Sequence, residues 1–347
     1  MLKRTDNQMA SIPADFQPTM VIVVDTEEEF DWSAGYSRDN TKTETIGEQW
    51  RAQEIYARYD IRPTYVINHC VAAQEKPAAI MQALYSQGLC DIGMHLHPWV
   101  NPPYEEELNA FNSYHGNLPV ALERAKMAAT LEKVTAVRGS PPKVFKAGRY
   151  GVGQNTAALL NEFDFEVDCS VVPFTDMGED GGPNFKGLPD QPYWFQDGQL
   201  LEVPTSKAYF GKARNVTFLR ALIEKDFVKQ IKLRAALSRL NIINQAPLTP
   251  EAVPNSELVS LLTEKIGDGQ KIFNMAYHSS SIGINGSPFV TSEQERRDFL
   301  ARIDMILDVF VNQLGGRIIT IYELYNELIT LKDQSGQSGA KAQETGQ

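Results

Sequence analysis

Short apolar runs of four to eight residues alternate with amphipathic stretches along most of the chain. This alternation limits the fold more than any other feature. The runs lie at 20–25, 64–68, 90–96, 143–146, 165–171, 200–203, 271–278 and 317–321. Between several of them, apolar residues recur at helical spacing, at 47–59, 78–87, 119–134, 154–162 and 292–314. Strands alternating with helices predict an α/β fold with a parallel sheet under helical covers, either open or closed into a barrel. The run Met20-Val-Ile-Val-Val24 has no polar residue, as expected of a strand buried on both faces. No internal repeat is present.

Composition narrows the function classes. With 33 basic and 44 acidic side chains among 347 residues, the net charge is −11. That balance argues against nucleic acid as a partner. Three cysteines are too few for a disulfide framework and point to a reducing compartment. No apolar run reaches membrane-spanning length, and the first residues lack the apolar core of a signal peptide. A cytoplasmic protein without an integral membrane segment is expected; oligomeric state is not readable.

Two segments interrupt the alternation. Residues 174–192 carry four Gly, three Pro and four acidic residues, which predicts a long loop near the strand ends. Residues 206–240 hold nine Lys and Arg against Glu224 and Asp226, with apolar residues at helical spacing. This predicts a helical insertion, taken as 206–247, whose basic face is either simply solvated or a contact for an anionic ligand. Residues 333–347 are polar and aromatic-free, and are expected to form a disordered tail after a domain spanning 19–332 and an extension of 1–18.

Chemistry concentrates where the strand candidates end, which is where α/β folds bind ligands. Asp25 closes the first run, and Glu27 and Glu29 follow at alternate positions, so these carboxylates share one face while Glu28 points away. The run at 90–96 leads into His95 and His97, two of only five histidines, projecting to one side within reach of one ion. Two imidazoles and a carboxylate suit Zn²⁺ and related divalent ions. Arg149 stands in a Gly-flanked turn after the run at 143–146, where a guanidinium can hold a carboxylate. The glycines of this turn lack the spacing of a phosphate loop. His278 ends the run at 271–278 and has the titration range of a general acid. Trp32, Trp99 and Trp194 are candidate stacking walls for a sugar. His115 is expected in an exposed polar loop.

Taken in order, these motifs resemble those of the NodB-homology polysaccharide deacetylases, carbohydrate esterase family four, and most nearly the WalW-type branch linked to lipopolysaccharide biosynthesis. The resemblance runs over about residues 19–331. It implies a distorted (β/α) barrel of about seven parallel strands and hydrolysis of an N- or O-acetyl group on a sugar of a glycan or glycan precursor. It implies a divalent metal, zinc with cobalt, nickel or manganese as substitutes, held by Glu27, His95 and His97. Asp25 matches the family's base, Arg149 the arginine that orients it, Asp168 the fourth-motif acid, and His278 the acid that this carboxylate keeps charged. A backbone N–H near Tyr150 is expected to meet the oxyanion. The sequence departs from the family pattern twice. Thr26 separates the two first-motif acids, and Trp99 stands where the second histidine usually lies, so His97 must serve. A binding relative without turnover, and an amidase for a small non-sugar amide, are the competing readings.

Overall fold

The structure, a computed structural model, describes residues 8–30, 34–224, 236–237 and 239–344. Its first six strands are β1 (Gln8–Met9), β2 (Thr19–Thr26), β3 (Thr64–Ile67), β4 (Asp91–Leu96), β5 (Val144–Ala147) and β6 (Val167–Asp168). The remainder are β7 (Tyr193–Phe195), β8 (Leu200–Glu202), β9 (Lys207–Phe210), β10 (Asn244–Pro247), β11 (Ile272–His278) and β12 (Arg317–Ile318). One sheet runs in the order β1-β7-β8-β6-β5-β4-β3-β2-β11, with β12 also paired to β2. Every neighbouring pair from β11 through β2 to β8 is parallel, and β7 turns antiparallel on β8. No ladder joins β8 back to β11 among the described residues. Isolated bonds do so: Ser206 N–H donates to Asn274 O at 3.0 Å, and Asn274 Nδ2 to Val203 O at 3.0 Å.

The pleat sorts β2 into two cores. Val21 and Val23 join Val66, Val144, Val167 and Leu201 on the inner face of the sheet. Met20, Ile22 and Val24 join the larger core beneath the helices. Each such side chain contributes roughly 1.5–3 kcal/mol on burial. The inner core is closed at the strands' starting end by the last helix, through Ile321, Leu324 and Leu328. The opposite end of the inner face is left for polar residues.

Local signals set the helix ends. Asn68 caps the helix His69–Ala73 by accepting from Val71 N–H at 3.1 Å. The helix Val120–Arg138 stops at Gly139, whose φ of 81° suits a residue without a side chain. Ser292 caps Glu293–Asp308.

The basic insertion and the C-terminal stretch differ from expectation. The basic insertion is not wholly helical. Its ends pair as the antiparallel strands β9 and β10, around a helix at Thr217–Ile223. The stretch holding Lys225, Lys229, Lys232 and Arg234 lies outside the described residues. Arg214 of this segment pairs with Asp268 at 2.7 Å and Glu264 at 3.2 Å, as a solvated face with acidic neighbours would. The expected disordered tail instead continues the helix Ile321–Glu344, where no proline interrupts the backbone.

Candidate metal centre and active site

Asp25, His95 and Lys146 extend the inner-face rows of β2, β4 and β5 toward their carboxyl ends, and all are buried. His278 is the ladder partner of Asp25. Asp25, His95 and His278 open into a cavity of about 770 Å³.

Glu27, His95 and His97 converge there. His95 Nε2 lies 3.2 Å from His97 Nε2 and 3.3 Å from Glu27 Oε2, and His97 Nε2 lies 3.2 Å from the same oxygen. Their tautomers follow from the opposite ring nitrogens. His95 Nδ1 faces Lys146 O at 2.9 Å, a carbonyl that can only accept, so Nδ1 carries the proton. Burial holds His95 down to about 4, so the ring is neutral and its Nε2 keeps a lone pair. His97 Nδ1 donates to Glu28 Oε1 at 2.8 Å. Burial would raise the Glu28 carboxyl, but the charge and hydrogen bond of His97 hold it below its usual value, so it accepts as a carboxylate. With Nδ1 committed to Glu28, Nε2 is the His97 ring nitrogen that faces His95 and Glu27. Two ring nitrogens and a carboxylate oxygen thus meet around one point, an arrangement that suits a cation.

The edges fit one. Ligand atoms about 2.0–2.1 Å from a tetrahedral zinc lie about 3.3–3.4 Å from one another. Histidines that bind metal usually donate their other N–H to a carboxylate or backbone carbonyl, as both do here. Burial pushes Glu27 up to about 7, the direction expected of a carboxylate packed here without a cation. Trp99 stacks on His97 with ring centroids 4.2 Å apart and fixes that imidazole from behind.

The base position differs from the sequence expectation. Asp25 is bound by Lys146, whose Nζ lies 2.7 Å from Oδ1 and 2.8 Å from Oδ2. Burial would raise Asp25, but the Lys146 charge, aided by His95 and His278, holds it below the usual carboxylate range. Arg149 does not orient Asp25. Its guanidinium lies at the cavity rim, bonded to Ser113 Oγ and to Asp180 at 3.2 Å, over the Tyr114 ring. The reason is reach and direction: Lys146 points inward on β5, whereas Arg149 follows the strand in a left-handed turn, φ 52°.

The acid position differs too. Asp168 does not support His278. The pleat puts Val167 and Cys169 on the inner face and Asp168 on the outer. There Asp168 accepts from Ser170 Oγ at 2.5 Å and sits across the ladder from Glu202. Burial raises both carboxyls. Glu251 takes the expected role instead, facing His278 Nδ1 at 3.0 and 3.1 Å and accepting its backbone N–H at 3.0 Å. Burial would lower His278, but Glu251, with Glu27, raises it to about 10.

The remaining candidates fall as follows. Glu28 does not point away: the strand ends at Thr26, and Glu28 turns inward to His97. Glu29 leaves the site and accepts Thr45 N–H at 2.7 Å. Trp32 lies outside the described residues. Trp194 is a core residue, 1% exposed. Tyr150 lines the cavity. His115 is buried rather than exposed, with Nδ1 3.0 Å from Glu123. Lys146 and Glu251 escaped sequence reading. Lysine in the otherwise apolar Val144-Phe-Lys-Ala147 was a usable signal; Glu251, in a loop, gave none.

No protein-family model and no curated protein matches the chain. Solved structures do. A Mycobacterium smegmatis protein provisionally described as a polysaccharide deacetylase matches at 13% identity and a TM-score of 0.53, over 95% of this chain and 96% of that one. A Pseudomonas aeruginosa PAO1 protein with the same provisional description matches at 16% identity and 0.52, over 92% and 93%. Puue allantoinase matches at 15% identity and 0.52, over 92% of each chain. At these identities the likeness is one of fold: the chain shares its α/β architecture, with a mostly parallel central sheet, with these proteins.

Proposed function

We propose that the protein is a metal-dependent hydrolase that removes an acetyl group from an N- or O-acetylated sugar. The observation that carries this is the Glu27, His95 and His97 triangle, with a nitrogen of each ring turned toward one point, beside Asp25 and His278 in one cavity. The barrel reading of the fold rests on the bonds that tie residues 203–206 to β11.

Glu27, His95 and His97 would hold the ion, zinc being the first expectation. When bound, it supplies Lewis-acid activation of water and of the acyl carbonyl. Asp25, kept ionised by Lys146, receives the proton of the attacking water. His278, kept charged by Glu251, delivers a proton to the departing amine or alkoxide. The order of motifs supports a place in lipopolysaccharide or surface-glycan assembly, acting on a cytoplasmic precursor.

The test is acetate release from N-acetylated hexosamine oligomers and from an aryl acetate. Chelation should abolish release and zinc restore it. Asp25→Asn should retain metal and fold while losing at least about a hundredfold in rate. Glycan binding without acetate release from any substrate would favour a binding relative. Turnover confined to small non-sugar amides would favour an amidase.

A further inference from the structure

The outer surface of the β9–β10 insertion plays no part in the chemistry proposed above. By sequence, residues 206–240 carry a net charge of +7, whereas the rest of the chain carries −18. Two described stretches form this surface, 211–223 and 239–243, and neither contains an acidic residue. They are tied together: Lys212 N–H donates to Asn241 O at 3.0 Å and Ala213 N–H to Ile242 O at 2.8 Å. Arg214 turns back to Asp268 and Glu264, and Arg220 lies over the Tyr209 ring at 4.9 Å. Lys212 and Arg239 stay exposed.

The same surface holds apolar side chains that the fold does not use. Behind it, Leu219 and Ile242 pack with the buried Tyr209, Ile223 and Ile243. That contact already gives the helix Thr217–Ile223 its inner face. Phe218 stands away from it, 72% exposed, and Leu240 is 66% exposed. These two are the most exposed large apolar residues among the described ones, and Val216 beside them is also exposed. A single exposed apolar residue is ordinary. Here three stand on two bonded stretches, set among cations and without a nearby carboxylate.

The mixture indicates what covers it. A protein partner is usually met by a continuous apolar centre inside a polar rim, and here the apolar tips stand apart between cations. Nucleic acid would use the cations and leave Phe218 and Leu240 in water. An anionic bilayer uses both: the cations meet headgroup phosphates while the apolar tips pass beneath them. The negative remainder of the chain is repelled by such a surface, so the approach is insertion-first. Pro247, at the end of β10, lines the catalytic cavity. The docked face is therefore continuous with one wall of that cavity.

We propose that the outer face of the insertion, with Phe218 and Leu240 as apolar tips and Lys212 and Arg239 as cations, docks on a membrane of anionic phospholipid. The experiment is co-sedimentation of the full chain with vesicles of phosphatidylcholine alone or mixed with phosphatidylglycerol. The parent should bind the mixed vesicles at least tenfold more tightly than the neutral ones. Binding should weaken at least tenfold when salt rises from about 0.1 M to about 1 M, which shortens the screening length from about 10 Å to about 3 Å. The doubles Phe218→Ser/Leu240→Ser and Lys212→Glu/Arg239→Glu should each lose at least tenfold in vesicle binding. Both should keep the parent's urea midpoint, since these side chains are not part of the core. Phe218→Trp gives a direct readout: its added emission should shift to the blue with mixed vesicles and not with neutral ones. A parent that ignores mixed vesicles, or that binds neutral ones equally well, would overturn the proposal. So would doubles that fold and bind as the parent does, because the contact then lies elsewhere. Self-association of the parent that is lost in Phe218→Ser/Leu240→Ser, without vesicle binding, would make a second copy the occupant and overturn it as well.

Discussion

Gly148 shows how tightly the metal centre is built at the residue scale. A Cβ on Gly148 would lie 2.1 Å from His97 Cδ2 and 2.8 Å from His97 Nε2, with Leu96 O at 2.5 Å. His97 cannot retreat, because Trp99 stacks on it and Glu28 holds its Nδ1. Gly148→Ala should therefore keep the fold, at a cost of about 1–3 kcal/mol of overpacking, and lose about 10–100-fold in zinc affinity. Titration with a competing chelator measures this; unchanged affinity would mean that His97 is not a ligand. The same scale shows what the sequence could tell. His95 and His97 were legible because strand periodicity alone puts alternate residues on one face. Asp168 and Arg149 were misplaced because their roles came from motif order, whereas the pleat, readable from Val167-Asp-Cys169 and Val144-Phe-Lys146, turns Asp168 outward and Lys146 inward.

At the scale of elements, the parallel strands were legible because their apolar runs are continuous, buried on both faces. β1, β7, β9 and β10 were not, being short, at an edge or outside the main sheet, with little periodicity to read. Loops escaped most completely, and Glu251 is the clearest case: it reaches His278 only because β10 ends beside β11, where Ala276 N–H bonds Leu248 O at 3.3 Å. The pair has a pH signature. Burial opposes the charge on His278, but Glu251 and then Glu27 raise it to about 10. A raised histidine contributes stability that is fully present below its unfolded value of about 6.5 and is lost as pH rises through about 10. If His278 is the acid, kcat/KM should fall on the alkaline side near pH 10. Glu251→Gln should move that limb down by one or more pH values and leave zinc content unchanged. An alkaline limb that does not move on substitution would remove His278 from the acid role.

At the scale of the whole molecule, the inner face of the sheet divides labour between its two ends. The carboxyl ends of β2, β4, β5 and β11 carry Asp25, His95, Lys146 and His278, while the starting ends are closed by Ile321, Leu324 and Leu328. In parallel α/β folds this separates residues that serve chemistry from residues that serve stability. Leu324 tests the division, since it is fully buried and its helix also ties to β3 through Ile321 N–H and Thr64 Oγ1 at 3.4 Å. Leu324→Ala removes buried methyl groups and leaves a cavity, for an expected loss of about 2–5 kcal/mol. In a urea titration the midpoint should fall with little change in slope, because the surface exposed on unfolding is nearly the same. Zinc affinity and kcat, measured well below that midpoint, should match the parent, since the substitution lies at the far end of the inner core from the ligands. A variant whose stability falls as expected but whose zinc affinity drops tenfold or more would show that the two ends are mechanically coupled through the Val21, Val66 and Val144 layer. In that case the plug helix would be part of what holds His95 in register.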